Sequence, residues 1–399
     1  MTTQNGSNPT LIYTPKALNQ LVAHLRRQSL LALDTESDSL YSYYSKVCLI
    51  QISVCDGSDA AHPSDIVDYL VDPLRLNDLS PLGALFSTPG LEVVMHAADN
   101  DMLMLYRHFG FTFSRIFDTQ LAARILGWKH VGLAAILEER FGIVSDKRMQ
   151  RTNWGKRPLM PQQIAYAQMD THYLLPLRAL LIDELKAKQR WEEAQDAFQH
   201  LVDIDFAARP VEERTFWNMK VVKEVPREHH GILEALWHWR EDEARHQDRP
   251  PFKIMNDSVL AALATRLPAN ENDMRSIHGL SDHQVRRYGS ALLHTLRDGR
   301  RRRLPSLPEN DSRPEHMLEK TALARFDALR KWRSDKARTR GVTADIVLTN
   351  ATLLAIAQRN PQTLADLEGI PDMGPWKLRT YGPEILATLE IYQTQHPAG

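Results

Sequence analysis

Leu31-Ala32-Leu33-Asp34-Thr35-Glu36 is a short apolar run that ends in two carboxylates two residues apart. Side chains alternate along a strand, so Asp34 and Glu36 project from one face and Thr35 from the other. Neighbouring carboxylates repel, and recessing them without a counter-charge is costly. A cation held at the strand end removes both costs. A strand that merely runs into a polar loop would give the same six residues, so the pair needs support from elsewhere in the chain.

Around this strand the pattern is that of an α/β domain. Leu18, Leu21, Val22 and Leu25 recur at helical spacing and predict a helix within Thr10 to Gln28. A polar loop rich in tyrosine (Ser37 to Lys46) precedes a second strand over Val47 to Val54 and a third over Asp65 to Val71. Short connections between them predict an antiparallel meander. Helices and strands then alternate: Ser80–Phe86, the strand Leu91–Met95, a helix opened by His96 to Asp101, the strand Ile116–Phe117, then helices over Gln120–Leu126 and Leu133–Phe141. A basic loop (Lys147 to Arg157) leads into a helix that starts near Pro161 and carries Tyr166 and Asp170. Pro176 is expected to kink or end that helix, and Leu177 to Leu201 reads as helical again and charged, a support or connection.

From Pro226 the sequence is all-helical and repeats itself. Trp239-Arg240 recurs as Trp332-Arg333, 93 residues on. The same offset relates Ala244 to Ala337, Leu260 to Leu353, Pro268 to Pro361, Ile277 to Ile370 and Tyr288-Gly289 to Tyr381-Gly382. One register held over that length predicts two copies of a helical module. The expected domains are therefore 1–205, a connection 206–225, a first module 226–304, a proline-containing linker 305–316 and a second module 317–399.

Composition sets the outer limits. A chain of 399 residues, 43% hydrophobic and 25% charged, is too long for one ordinary core and reads as a soluble protein of two to three domains. No apolar run is long enough to span a bilayer, and Met1 to Pro9 has no basic-then-apolar signal, so a cytoplasmic protein is expected. Cys48 and Cys55 are too few for a disulfide framework or a four-ligand zinc site. The net charge of −1 excludes a globally basic nucleic-acid binder, but not local basic surfaces.

Three further groups fit the Asp34/Glu36 site. Asp101 opens a helix, where the helix terminus stabilises negative charge, though Asp99 competes with it for the same role. Asp118 also ends a strand, and an ordinary helix cap explains it better. Tyr166 and Asp170 lie four apart and share a helix face. Asp34, Glu36, Asp101 and Asp170 with Tyr166 have the composition of a two-metal phosphoryl-transfer site, in which two divalent ions sit about 3.5–4 Å apart. All-oxygen ligands suit Mg²⁺ or Mn²⁺.

Asp34-x-Glu36, the run His96 to Asp101 and Tyr166-x-x-x-Asp170 resemble the DEDD 3′–5′ exonucleases with a motif tyrosine. Val47 to Ser53 and Tyr166 to Leu177 resemble the ribonuclease D family in particular, and the repeated module is similar to the HRDC domain. The resemblance runs from about Leu11 to Thr388. It implies a ribonuclease H-like (DnaQ-like) α/β exonuclease domain with a mixed sheet, followed by two all-α HRDC-like domains. It implies that Asp34, Glu36, Asp101 and Asp170 hold two divalent ions and that Tyr166 orients the attacking water. Asp101 is favoured over Asp99, because the family acid lies five residues beyond the histidine matched by His96. The family often has an aromatic residue after the Glu36 position. Here Ser37 stands there, and Tyr41, Tyr43 and Tyr44 follow in the loop.

The expected activity is removal of 5′-mononucleotides from RNA 3′ ends by a monomer, with tRNA precursors and other stable RNA as substrates. The competing readings are a DNA exonuclease with the same chemistry and a nucleic-acid-binding scaffold without catalysis. Arg148, Arg151, Lys156 and Arg157 are placed to meet phosphates, and Trp154 either stacks on a base or packs beneath the loop. Arg300, Arg301 and Arg302, within a tract from Arg297 to Arg303, form a second candidate RNA surface, one that the second module lacks.

Overall fold

The computed structural model describes residues 8–55, 62–209, 214–306 and 319–395. Its sheet is built from β1 (Thr10–Ile12), β2 (Leu30–Ser37), β3 (Val47–Cys55), β4 (Ile66–Val71), β5 (Glu92–Met95) and β6 (Ile116–Asp118), in the order β1-β4-β3-β2-β5-β6. β2, β3 and β4 form the antiparallel meander, while β5 and β6 join in parallel and make the sheet mixed. β2 is central, so both its faces are covered. Asp34 stands opposite Gln51 and Glu36 opposite Leu49, and a bulge between Glu36 and Ser37 then ends the regular pairing.

Helices cover the two faces as the alternation demands. Leu31 and Leu33 pack into the core made by α1 (Pro15–Leu25), α2 (Ser80–Phe86) and α3 (Asp99–Phe109). Ala32 packs into the opposite core, against α4 (Thr119–Leu126), α5 (Leu133–Phe141), α7 (Leu174–Ala187) and α8 (Trp191–Val202). α6 (Pro161–His172) lies on that second face too, against β2, β3 and β4. Each fully buried Leu or Ile contributes about 1.5–3 kcal/mol, enough to fix the strand register even with acids at its end.

Two of the expected helical stretches are bounded more closely. The N-terminal helix starts only at Pro15, capped by the Thr14 hydroxyl, because Thr10–Ile12 adds a parallel edge strand to β4. The helical stretch expected over Leu177 to Leu201 is divided between α7 and α8. The chain turns at Gln189, whose φ is +54°, and Arg190 donates to the Ile125 carbonyl at 2.5 Å. Pro176 sits harmlessly in the first turn of α7, where its missing N–H is not needed.

The helical repeat holds its register element by element. α9 (His230–His246), α10 (Pro251–Ile254), α11 (Asp257–Arg266), α12 (Glu271–Arg275) and α13 (Asp282–Gly299) are matched by α14 (Lys320–Arg340), α15 (Ala344–Val347), α16 (Asn350–Arg359), α17 (Leu364–Leu367) and α18 (Pro375–Gln395). Buried contacts repeat as well. Arg240 Nη1 donates to the Met255 carbonyl at 3.1 Å, and Arg333 Nη1 to the Leu348 carbonyl at 2.8 Å. Trp239 meets Tyr288 edge-on, as Trp332 meets Tyr381. Most of the linker expected at 305–316 lies outside the described residues.

The chain divides into two compact units: Met1–Ser37, Val47–Phe206 and Ser312–Gly399 form one, and Asp38–Lys46 with Ala207–Asp311 the other. The second helical module thus belongs with the sheet domain. The loop after β2 belongs with the first module. There the Tyr43 hydroxyl donates to Glu241 at 3.1 Å, its backbone N–H donates to Asp248 at 3.0 Å, and Lys253 lies 3.7 Å from the Tyr41 ring centre. Tyr41 and Tyr43 are therefore committed to α9, α10 and the turn between them.

Candidate active site

β2 and α6 bring carboxylates together. Oxygens of Asp34, Glu36 and Asp170 lie within 4.8 Å of one another. Strand alternation puts the first two on the face that α6 covers, and Asp170 reaches them from the helix. Asp101 approaches from the first turn of α3, where the Thr35 hydroxyl, pointing the opposite way from Asp34, donates to its Oδ1. Asp99 is exposed on the same turn. Tyr166, one helical turn before Asp170, is buried next to Trp154, with ring centres 6.2 Å apart.

The electrostatics follow from like charges crowded in a recess. Burial, then the neighbouring carboxylates Asp101, Asp170 and Glu36, push Asp34 well above the usual carboxylate range. Burial, then Asp170 and Asp101, push Glu36 up to about 9. Burial raises Asp170 most, with Asp101 adding to it and a hydrogen bond from Tyr166 pulling the other way. Asp101 is raised by burial and drawn back by Thr35. The Tyr166 phenol is driven up by burial and the carboxylates, so it stays neutral. No guanidinium or ammonium stands among the principal electrostatic neighbours of the four acids. Asp170 Oδ2 is buried with no hydrogen-bond partner among the described residues. Four hard oxygen donors, mutually repelling, with one acceptor unpaired, fit divalent cations of the Mg²⁺ class.

Several positioning groups were not legible as such. Asp118 caps α4 through the N–H groups of Gln120 and Leu121, at 2.8 and 3.0 Å, as its place before a helix implied. The same carboxylate also accepts from Ala97 and Ala98, at 3.1 and 2.9 Å, and so holds the turn that launches α3 and Asp101. Ala97 has φ +59°, a strained conformation for a residue with a Cβ. His96 lies 2.9 Å from the Thr119 hydroxyl and serves the scaffold.

Asp68 on β4 does the same for α6. It is 3% exposed and accepts from Gln168 at 2.7 Å, His172 Nδ1 at 2.8 Å and Ser53 at 2.6 Å, while Ser53 Oγ lies 2.6 Å from Thr171 Oγ1. Gln168, Thr171 and His172 surround Asp170 in sequence, so one buried carboxylate fixes the helix that carries it. Asp68→Ala is expected to cost about 3 kcal/mol of stability, because three donors, two of them buried, lose their acceptor. In the folded fraction kcat should fall about tenfold with KM little moved, since misplaced groups cost rate before binding. Urea unfolding and steady-state kinetics on one RNA check both parts.

The basic loop before α6 is less available than its sequence implied. Trp154 is fully buried against Tyr166, Cys48 and Leu49, so it packs beneath the loop and does not stack on a base. Arg157 points inward, donating to Asp72 at 2.6 and 2.8 Å and to the Cys48 carbonyl at 2.6 Å. Both are corrections, and both have the same cause: an amphipathic side chain found interior partners. Arg148 is exposed but paired with Asp146 at 2.7 Å, and Arg151 and Lys156 are exposed. Arg300, Arg301 and Arg302 are exposed beyond α13.

Residues 9–186 match the model of the 3′–5′ exonuclease family, and residues 229–296 and 322–389 each match the HRDC domain. The chain is 31% identical to ribonuclease D of Shewanella sp. (strain ANA-3) over 282 residues, covering 70% of each protein. It is 28% identical to the exosome complex exonuclease RRP6 of Saccharomyces cerevisiae over 96% of its own length, but spans 54% of that protein. Among solved structures, Escherichia coli RNase D, described as an exoribonuclease involved in structured RNA processing, superposes with a TM-score of 0.65 at 25% identity, covering 98% of this chain and all of that one. Its sheet domain, its paired helical modules and these matches place the chain in the ribonuclease D family of 3′–5′ exoribonucleases.

Proposed function

We propose that Asp34, Glu36, Asp101 and Asp170 hold two divalent cations, Mg²⁺ or Mn²⁺, at which the 3′-terminal phosphodiester of RNA is hydrolysed to release a 5′-mononucleotide. One observation carries this reading: three carboxylates from two elements converge within 4.8 Å, a fourth adds its charge to theirs, and none of their principal electrostatic neighbours among the described residues is basic. The cations would supply an activated water and a Lewis acid for the departing 3′ oxygen. The chain's own part is geometric. β2 and α6 hold three acids rigidly, Thr35 fixes the fourth, and Asp68 and Asp118 hold the two helices that carry Asp170 and Asp101.

Tyr166 aligns the water by hydrogen bonding. Burial and the neighbouring carboxylates favour its neutral phenol, so it acts as a neutral hydroxyl. Tyr166→Phe is accordingly expected to lower kcat by about 10- to 100-fold with little change in KM, the signature of lost orientation rather than lost binding.

The substrates we propose are tRNA precursors and other stable RNA, met in the cytoplasm by a monomeric chain. Support comes from the structured-RNA role given for the Escherichia coli relative. The described residues contain no helix long and apolar enough to cross a membrane. The decisive experiment uses 5′-labelled single-stranded RNA and DNA of one sequence with Mg²⁺, Mn²⁺ or chelator, for the wild type and Asp101→Asn. A metal-dependent ladder shortening from the RNA 3′ end, lost in the variant, is expected. Cleavage that persists in chelator would overturn the metal mechanism, and a preference for DNA would overturn the substrate.

A further inference from the structure

The first helical module carries a cleft of about 740 Å³ lined by Arg214, Asn218, Trp237, Phe252, Asn256 and Ser258. Phe252 is 49% exposed on the short α10, and Trp237 is half-buried on α9. The acids at the cleft are already partnered, with one guanidinium between them: Asp257 pairs with Arg240 at 2.5 Å, and Glu241 accepts from Tyr43 and lies 3.6 Å from Arg240. Arg214 is exposed and has no charge partner among the described residues. Asn256 precedes α11 without using its side chain to cap it.

The second module is an internal control. At the four equivalent positions, 93 residues on, it has Arg330 for Trp237, Asp345 for Phe252, Thr349 for Asn256 and Ala351 for Ser258, on the same helices in the same register. The fold therefore does not require aromatic rings at these two places. In the second module that face does a different job, since Asp345 pairs with Arg124 of the exonuclease domain. An exposed phenylalanine kept in only one of two matching copies, beside an indole, two amides, a hydroxyl and a free guanidinium, calls for a ligand with a flat apolar ring, polar edges and negative charge.

We propose that this cleft binds one unstacked nucleotide of the RNA substrate, with the base against Trp237 and Phe252, its edge toward Asn218, Asn256 and Ser258, and a phosphate at Arg214. The choice of RNA rests on the exoribonuclease activity. Aromatic platforms bind unpaired bases of any sequence, whereas a paired helix keeps its bases stacked and withheld. The cleft therefore selects RNA with unpaired positions, which is what a structured precursor offers beyond its 3′ end.

The test uses the full chain in chelator, with fluorescence anisotropy on a hairpin RNA with an unpaired loop and on a blunt duplex. Trp237→Arg and Phe252→Asp copy the second module, so the fold tolerates both. They also change charge in opposite directions, so a loss shared by both is not electrostatic. Each is expected to weaken hairpin binding about tenfold, the scale of one lost base–aromatic stack, and to leave the duplex within about twofold. Hairpin affinity unchanged in both variants would overturn the proposal, as would an equal loss on the duplex. Absence of nuclease activity on any RNA would instead sink the catalytic reading, because the chelated binding measurement does not depend on it.

Discussion

Asp34→Asn is expected to abolish RNA hydrolysis, by about 10³-fold or more, and at the same time to stabilise the metal-free protein. The two effects have one origin. Asp34 lies under the repulsion of Asp101, Asp170 and Glu36 and is recessed from water. The asparagine keeps the shape, removes a charge and cannot serve as an anionic ligand. In chelator at pH 8 the variant should be the more stable protein, because a carboxyl held well above its free value costs stability once the pH exceeds that free value. The sign is set by the raised values. Glu36, at about 9 when folded against 4.5 when free, binds its proton more tightly in the native state. Stability from such groups is complete below the free value and is lost as pH rises through the folded one. Metal-free wild type should therefore weaken between about pH 4.5 and 9, and the variant less so. Adding Mn²⁺ should stabilise the wild type increasingly over that window and the variant far less. Denaturation in chelator and in Mn²⁺ at pH 5, 7 and 9 reads all of this. A variant that is less stable than wild type in chelator at every pH would mean that the acids are not mutually repelling.

What the sequence disclosed was local or periodic. Alternation along β2 is enough to put Asp34 and Glu36 on one face, and helical spacing is enough to pair Tyr166 with Asp170. The 93-residue register is a one-dimensional signal, and it survives down to matched hydrogen bonds from Arg240 and Arg333. What stayed hidden was set by partners distant in sequence. Asp68 is an unremarkable acid in a strand until Gln168 and His172, about a hundred residues on, arrive at its oxygens. Thr35 looked like the idle residue between two acids, yet its opposite orientation is what lets it reach Asp101. Trp154 and Arg157 have surfaces that suit RNA or an interior equally well, and only packing decides between them. β1 is three residues long and gains strand identity from β4 alone.

Arg340→Met is expected to destabilise the exonuclease domain and second module together by about 3–5 kcal/mol, although Arg340 is far in sequence from every candidate catalytic residue. Its guanidinium donates to Glu193 of α8 and to the Tyr381 hydroxyl, and Arg190 Nη2 donates to its backbone carbonyl at 2.7 Å. Glu193 is 2% exposed, and its other oxygen has no hydrogen-bond partner among the described residues. Losing Arg340 leaves the buried Glu193 carboxylate without its ion-pair partner, and an uncompensated buried charge costs more than the pair contributes. The surroundings allow little relaxation. A Cβ on Gly127 would collide with the Gly341 carbonyl, and one on Gly374 with the Asp196 carboxylate. At Gly127 the module's backbone thus sits too close for any side chain, whereas at Gly374 the Asp196 side chain would have to move. The double variant Arg340→Met, Glu193→Leu separates the causes. It removes both charges and fills the space, so most of the stability should return, and urea titrations of the four proteins close the cycle. If the double variant is no more stable than Arg340→Met, the loss lies in packing against Tyr381 rather than in the stranded charge. Recovery would identify the pair as a device that fixes how the second module seats, because two apolar residues then hold the same interface without its directional bonds.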